Sequence, residues 1–166
     1  MAFPFKMILC PIDFDENSEM ALDKAVEIAR HFDSGLILVH VLPLVLTLGE
    51  VPPPAALYED RAKAARAKLA EIANKKLAGL KNESHVYTGD VIGSILHAQS
   101  KHQCDLLVMA THGRSGLARM FLGSVAAAIV RKASCPVLTV RKEPAGARIG
   151  GSKTDSKAGN ARRDRK

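Results

Sequence analysis

Apolar residues along the chain fall into short continuous runs that alternate with longer segments of helical spacing. Five runs predict strands, and the continuous ones are typical of strands covered on both faces: KMILCPI, SGLILVHVL, SHVYTGD, DLLVMA and PVLTV. The four segments between them repeat apolar residues every three or four positions, which predicts helices. Strands that alternate with helices need crossover connections, which are almost always right-handed. The pattern therefore predicts an α/β fold with a parallel sheet and helices on both faces.

Polar residues suggest where the predicted helices begin. Asn17 or Ser18 is the expected N-cap of the first helix, and Asp90 is the expected N-cap of the third. The second helix is predicted over Tyr58 to Leu80, with its Arg and Lys side chains turned to solvent. A Pro-rich connection, PLVLTLGEVPPPAAL, leads into this helix and is long enough to serve as a flap.

The positive charge of the chain is concentrated in its last residues. The segment 142–166 carries eight basic and three acidic residues, a net charge of +5 out of a total of +7. It has lost the apolar periodicity and is rich in Gly, Ser, Lys and Arg, so we expect it to be disordered. The sequence predicts one domain over residues 1–141 and a basic tail over 142–166.

Composition narrows the class of protein further. An apolar content of 47% is enough for a core, whereas 4% aromatic residues disfavour binding by aromatic stacking. Cys10, Cys104 and Cys135 are odd in number and widely spaced, which fits reduced thiols in a cytosol. An acid directly follows the first apolar run, unlike in a signal peptide, and Leu36–Leu48 is shorter than the roughly 20 residues of a membrane span. We therefore expect a cytoplasmic protein with no membrane partner.

The glycine-rich segment ATHGRSGLARMFLGS, residues 110–124, lies between the fourth strand and the fourth helix. Its glycines allow backbone N–H groups to approach an anion, and the helix start that follows favours negative charge. Its arginines add positive charge, so a phosphate chain is the expected ligand. The glycines and arginines are Gly113, Gly116, Gly123, Arg114 and Arg119.

A purely structural interpretation of the same loop is also open. Ser124 can be an N-cap preceded by Gly123, and the other glycines can shape a turn. The P-loop and dinucleotide glycine motifs are both absent. A hydrolase function is disfavoured, because Gly116 directly follows Ser115 and breaks the frame of a nucleophile elbow.

A second polar loop, PIDFDENS, follows the first strand. Ligands of open parallel sheets bind beyond the carboxyl ends of the strands, where the strand order reverses, so neighbouring first and fourth strands would bring both loops to one crevice. As a pair, Asp13 and Asp15 can bind a metal ion, act as acid and base, or shape a turn at the start of the helix. We favour ribose contact for Asp13 and the turn for Asp15. The six histidines show no metal-ligand spacing, so no structural metal is expected.

Three motifs in the right order resemble the universal stress protein family. They are Gly113 followed after nine residues by Gly123-Ser124, the segment PIDFDENSEMAL and the segment SCPVLTVR. The resemblance covers about Lys6 to Arg141, and Ala110 stands where the family has its first loop glycine.

This resemblance implies a five-stranded parallel sheet of order 3-2-1-4-5 that binds ATP, with Mg²⁺ held by the phosphates. It places Ile12 and Asp13 near the base and ribose, Val41 at the adenine edge, and Met109 and Ala110 beside the nucleoside. The ribose and phosphates would be held by Gly113, Gly123, Ser124 and Val125. The candidate set is completed by Pro11, Arg114 and Gly116.

The expected function is that of an ATP-binding stress-response regulatory protein, with the nucleotide as ligand or switch. Slow ATP hydrolysis or phosphotransfer at the same site is an alternative, although no water-positioning residue is evident. Nucleic-acid binding by the tail is a further alternative, disfavoured because no aromatic platform or recognition helix accompanies the charge. The fifth strand, Pro136–Arg141, is expected at a sheet edge, where it predicts a homodimer.

Overall fold

The computed structural model describes residues 5–44, 55–111 and 122–141. Its elements alternate strictly between strand and helix along the chain. They are β1 (Met7–Pro11), α1 (Glu16–Phe32), β2 (Gly35–Pro43), α2 (Ala55–Lys76), β3 (Asn82–Gly89), α3 (Val91–Lys101), β4 (Leu106–Ala110), α4 (Ser124–Lys132) and β5 (Val137–Val140).

The five strands form one parallel sheet of order β3-β2-β1-β4-β5, as expected. Cys10 pairs in register with Leu38 of β2, and Leu9 pairs with Leu107 of β4. The chain order reverses at β1, which has β2 on one side and β4 on the other. This reversal is the position at which parallel sheets bind ligands beyond the strand ends.

Alternate residues of the central strands pack on opposite faces of the sheet. Ile8 and Cys10 of β1 belong to one apolar cluster with Leu22 of α1. Leu9 belongs to a second cluster with Ile129 of α4. Because both faces are covered by helices, these strands are apolar throughout, which explains the continuous runs in the sequence.

The predicted start of α1 and both predicted ends of α2 were wrong. The N-cap of α1 is Asp15, because its backbone is extended and its Oδ1 accepts a hydrogen bond from the Ser18 backbone N–H at 2.7 Å. Helix α2 begins at Ala55, before the expected Tyr58, and it ends at Lys76, before the expected Leu80. The chain turns there through Gly79, whose φ of +81° is accessible to glycine at little cost. The predicted cap of α3 is confirmed, since Asp90 Oδ2 accepts from the Gly93 N–H at 2.6 Å.

The three cysteines are free thiols. Cys10 and Cys104 are buried and Cys135 is partly exposed. Burial raises the pKa of the Cys104 thiol to about 12, so this side chain stays protonated at neutral pH. Cys10 and Cys104 therefore pack as small apolar residues.

Several predictions concern residues outside the described ranges. These are the Pro-rich segment 45–54, the loop 112–121 with Gly113, Arg114 and Gly116, and the tail 142–166. Among the helices of the described ranges, none combines the length and apolar character needed to cross a bilayer.

Candidate functional site

A cavity of about 720 Å³ opens at the carboxyl ends of β1, β2 and β4. Its walls also include the start of α4, one face of α2, and Val91 and Ile95 of α3. It therefore lies where the strand order reverses, at the position expected for a ligand of this fold.

The residue that follows β1 is fixed through both of its backbone groups. The Ile12 N–H donates to the Val39 carbonyl oxygen at 2.8 Å, and the Ile12 carbonyl accepts from His40 Nδ1 at 2.7 Å. The Ile12 side chain is buried beneath these bonds. The next residue, Asp13, lines the cavity from this rigid support.

An aromatic side chain forms part of the cavity wall beside Asp13. Phe14 has a φ of 65°, a conformation that bulky residues rarely adopt. Its ring centroid lies 4.3 Å from that of His40, and Lys68 Nζ lies 4.6 Å from the Phe14 centroid. These contacts hold the strained loop and bring a cation of α2 to the cavity.

The two aspartates of this loop have different roles. Asp13 Oδ1 accepts from the Asp15 N–H at 3.2 Å, while Asp15 caps α1. Partial burial acts to raise the pKa of Asp15, but hydrogen bonds led by the Ser18 N–H outweigh it and lower that pKa. The interpretation of Asp15 as a residue of the turn and helix start is confirmed. Of the two aspartates, Asp13 lines the cavity and Asp15 does not.

The opposite wall is built by the residues on either side of the loop 112–121. The Thr111 N–H donates to the Val140 carbonyl at 2.9 Å, and the Gly123 N–H donates to the Thr111 carbonyl at 2.8 Å. These bonds hold the start of α4 against the end of β4.

The start of α4 has an unusual cap. Gly123 is the N-cap and Ser124 the first helical residue, so the alternative interpretation with Ser124 as the N-cap is wrong. No side chain of the described residues caps this helix, and its first backbone N–H groups lie beside the cavity. Gly123 has φ −55° and ψ 154°, which any residue adopts, so backbone conformation does not explain the glycine.

Most of the candidate residues from the sequence come together around this cavity. Ala110 is a regular β4 residue in register with Val140, so alanine suits this position. Three candidates lie outside the described ranges: Gly113, Arg114 and Gly116. The candidates that line the cavity are Pro11, Ile12, Asp13, Val41, Met109, Ala110, Gly123, Ser124 and Val125.

Sequence reasoning missed the contribution of α2. Arg61 and Lys68 line the cavity together with Ala64 and Ala65, although the basic residues of this helix were expected to face solvent only. Ala64, Ala65 and Lys68 follow Arg61 by three, four and seven positions, so the four residues lie on one face of the helix. The sequence pattern that could have revealed these cations is their position on either side of Ala65, which is a buried residue of α2.

Comparison with known proteins identifies the family of this chain. The model of the universal stress protein family matches residues 4–141. A universal stress protein of Methanocaldococcus jannaschii is 31% identical over 144 residues, covering 83% of each chain. Universal stress protein A homolog 1 of Coxiella burnetii is 33% identical over 140 residues, covering 82% of this chain and 96% of that one.

Solved structures share the fold. The universal stress protein UspA from Lactobacillus plantarum matches 84% of this chain and all of its own, with a TM-score of 0.69 and 24% identity. A universal stress protein in complex with cAMP matches 82% of this chain and 97% of its own, with a TM-score of 0.61 and 22% identity. One from Archaeoglobus fulgidus in complex with dAMP matches 83% and 98%, with a TM-score of 0.57 and 22% identity. The motifs, the sheet order and the family match together show that this chain belongs to the universal stress protein family.

Proposed function

We propose that this protein binds ATP as its Mg²⁺ complex in the cavity between β1, β2, β4 and α4. The observation that carries the proposal is the start of α4. Its N-cap is a glycine, no described side chain caps it, and it faces the cavity. Free N–H groups and the helix dipole at such a start favour a phosphate.

The base and ribose would lie over the sheet end. Val41 and Met109 give this part of the cavity apolar surface, which suits a planar base. Asp13 stands at the end of β1, where a carboxylate can accept hydrogen bonds from ribose hydroxyls.

The phosphates would extend toward α4 and α2. The N–H groups at Ser124 and Val125 can donate to phosphate oxygens, and Arg61 and Lys68 offer positive charge from the other side. The segment 112–121 follows Thr111 directly in the chain, so we propose its glycines and Arg114 as further members of the phosphate site. Mg²⁺ would be bound through phosphate oxygens, as is usual for nucleotide complexes.

The structural neighbours support an adenine nucleotide in particular. Two proteins of the same fold were solved with adenine nucleotides, one with cAMP and one with dAMP. Both ligands share the adenine base with ATP; both have a single phosphate, and dAMP also lacks the 2′-hydroxyl of the ribose. The N–H groups at the start of α4, together with Arg61 and Lys68, can contact several phosphate oxygens, and they therefore favour the longer phosphate chain of ATP.

The bound nucleotide is proposed to act as a regulatory ligand in a stress response. A ligand shifts a protein between two states only through a difference in its affinity for them. The loop 112–121 connects the proposed phosphate site to β4 and α4, and β5 follows α4 directly. Nucleotide binding is therefore expected to act near the β5 edge, where we propose that two copies pair.

Titration calorimetry of the full chain with Mg·ATP, AMP and Mg·GTP tests the proposal. ATP is expected to bind more tightly than AMP because the β- and γ-phosphates add contacts, and more tightly than GTP because of the base. Equal affinity for ATP and GTP would contradict adenine recognition. Equal affinity for ATP and AMP would contradict the phosphate site at α4.

A further inference from the structure

Three side chains that can bind a metal ion meet at the other end of the sheet from the cavity. Glu83 and His85 lie two residues apart on the edge strand β3, near its amino end, so they share one face. His102 is the C-cap residue of α3, which runs back to the same end of the sheet. None of the three lines the nucleotide cavity.

The distances within this group are close to those of a metal site. His85 Nε2 lies 3.2 Å from Glu83 Oε2, and His102 Nδ1 lies 3.8 Å from the same oxygen. One ligand atom from each residue can be chosen so that all three lie within 4.8 Å of one another. Tetrahedral zinc with bonds of about 2.0–2.2 Å separates neighbouring ligand atoms by about 3.3 Å. Side-chain rotations that bring these atoms closer and turn the His85 and His102 rings, whose centroids lie 4.4 Å apart, toward one point would close the group around an ion.

The environment of His102 gives independent support. Its side chain is only 13% exposed, and its Nε2 is buried with no hydrogen-bond partner among the described residues. Its Nδ1 is 3.8 Å from the Glu83 carboxylate, which is beyond hydrogen-bond distance. A buried ring nitrogen without a hydrogen bond is costly. An ion bound by a ring nitrogen of His102 would give this ring a strong partner.

We infer that Glu83, His85 and His102 form a binding site for a divalent transition-metal ion, with Zn²⁺ as the expected occupant. Two imidazole nitrogens and one carboxylate oxygen suit zinc, whereas Mg²⁺ and Ca²⁺ prefer oxygen ligands alone. Three protein ligands leave a fourth position for water. The bound ion would fasten the edge strand β3 to the end of α3. Spacing along the chain does not reveal this site, because one ligand comes from a different element.

Zinc titration of the full chain, treated with chelator and free of nucleotide, tests the site. Calorimetry is expected to show one Zn²⁺ per chain, and Co²⁺ is expected to give the visible absorption of a low-coordinate site. His85→Ala and His102→Ala are expected to weaken zinc binding at least tenfold. His97→Ala is the matched control, because His97 is an exposed histidine of α3 outside the group.

A fourth variant guards against misfolding. Glu83→Gln keeps the shape of the side chain and removes its charge. Because this side chain is 54% exposed, the variant is expected to fold while losing zinc affinity. Circular dichroism of the metal-free variants checks the fold. Absence of zinc binding by the unmodified chain would overturn the inference. Unchanged affinity in Glu83→Gln and His85→Ala would also overturn it, as would an equal loss in His97→Ala.

Discussion

The backbone N–H of Gly123 donates a hydrogen bond to the carbonyl oxygen of Thr111 at 2.8 Å. This bond joins the two residues that stand on either side of the loop 112–121. It also places the first turn of α4 beside the end of β4, at the edge of the cavity. The phosphate site that we propose depends on this arrangement, because the N–H groups of α4 must point at the ligand from a fixed position.

Substitution of Gly123 is expected to weaken ATP binding in proportion to side-chain size. Its backbone angles suit any residue, so Gly123→Ala and Gly123→Val are expected to fold. Each added group would occupy space beside the proposed phosphate, so valine is expected to abolish binding and alanine to weaken it.

ATP titration with circular dichroism on the same samples checks this series. A folded Gly123→Val variant with full affinity would show that the glycine has no role in binding.

Removal of a cation from α2 is expected to weaken binding more modestly. Lys68→Ala removes a charge from the cavity wall, and because this residue is exposed we expect roughly a fivefold loss of ATP affinity or less. The loss is expected to shrink at high salt. Lys75→Ala is the matched control, since Lys75 is exposed on the same helix and does not line the cavity. Equal effects of the two variants would remove α2 from the site.

The cap of α1 is expected to make a measurable contribution to stability. Asp15→Ala removes the acceptor of the Ser18 N–H and is expected to cost about 1 kcal/mol in the free energy of unfolding. Asp15→Asn keeps an acceptor and loses the charge. Denaturant unfolding of the three proteins at neutral pH gives the comparison.

The pH dependence of the same variants follows from the lowered pKa of Asp15. A carboxyl group whose pKa is lower in the folded state stabilises the protein above its unfolded pKa and loses this effect as the pH falls. The advantage of the original chain over Asp15→Asn is therefore expected to begin to fall near pH 4, the usual pKa of the unfolded carboxyl, and to be lost as the pH falls further through the lower pKa of the folded state. An advantage that grows toward acid would contradict the capping role.

Strand β5 is expected to form the interface of a homodimer. It lies at one edge of the sheet, and Leu138 on it is 41% exposed. Light scattering of the full chain is expected to give about twice its mass of 17.8 kDa. Leu138→Lys is expected to produce monomers, whereas Leu57→Lys, on an equally exposed residue of α2, is not. A monomer from the unmodified chain at high concentration would rule out this interface.

The sequence was most informative where local pattern and fold coincide. The continuous apolar runs predicted β1, β2 and β4 because both faces of these strands are buried, and Asp90 predicted the start of α3 because its side chain accepts a hydrogen bond from a nearby N–H. The N-cap of α1 was misplaced because Asp15, Asn17 and Ser18 are all good caps, and only the backbone angles select among them.

Contacts between distant segments were the part that sequence reasoning missed. Lys68 reaches the cavity because α2 packs against β2 and β3, and its Nζ lies over the ring of Phe14, which follows β1. Glu83 and His102 meet because α3 returns along β3. Neither meeting leaves a pattern in the spacing of residues along the chain.

The central claim is that the cavity binds ATP, and thermal unfolding of the full chain tests it most directly. A ligand that binds only the folded state raises Tm by mass action. With Mg·ATP at one hundred times its Kd, we expect a rise of about 5–10 °C. Mg·GTP at the same concentration is expected to give a smaller rise, and Gly123→Val to give none with either nucleotide. An unchanged Tm of the original chain at millimolar Mg·ATP would contradict the account.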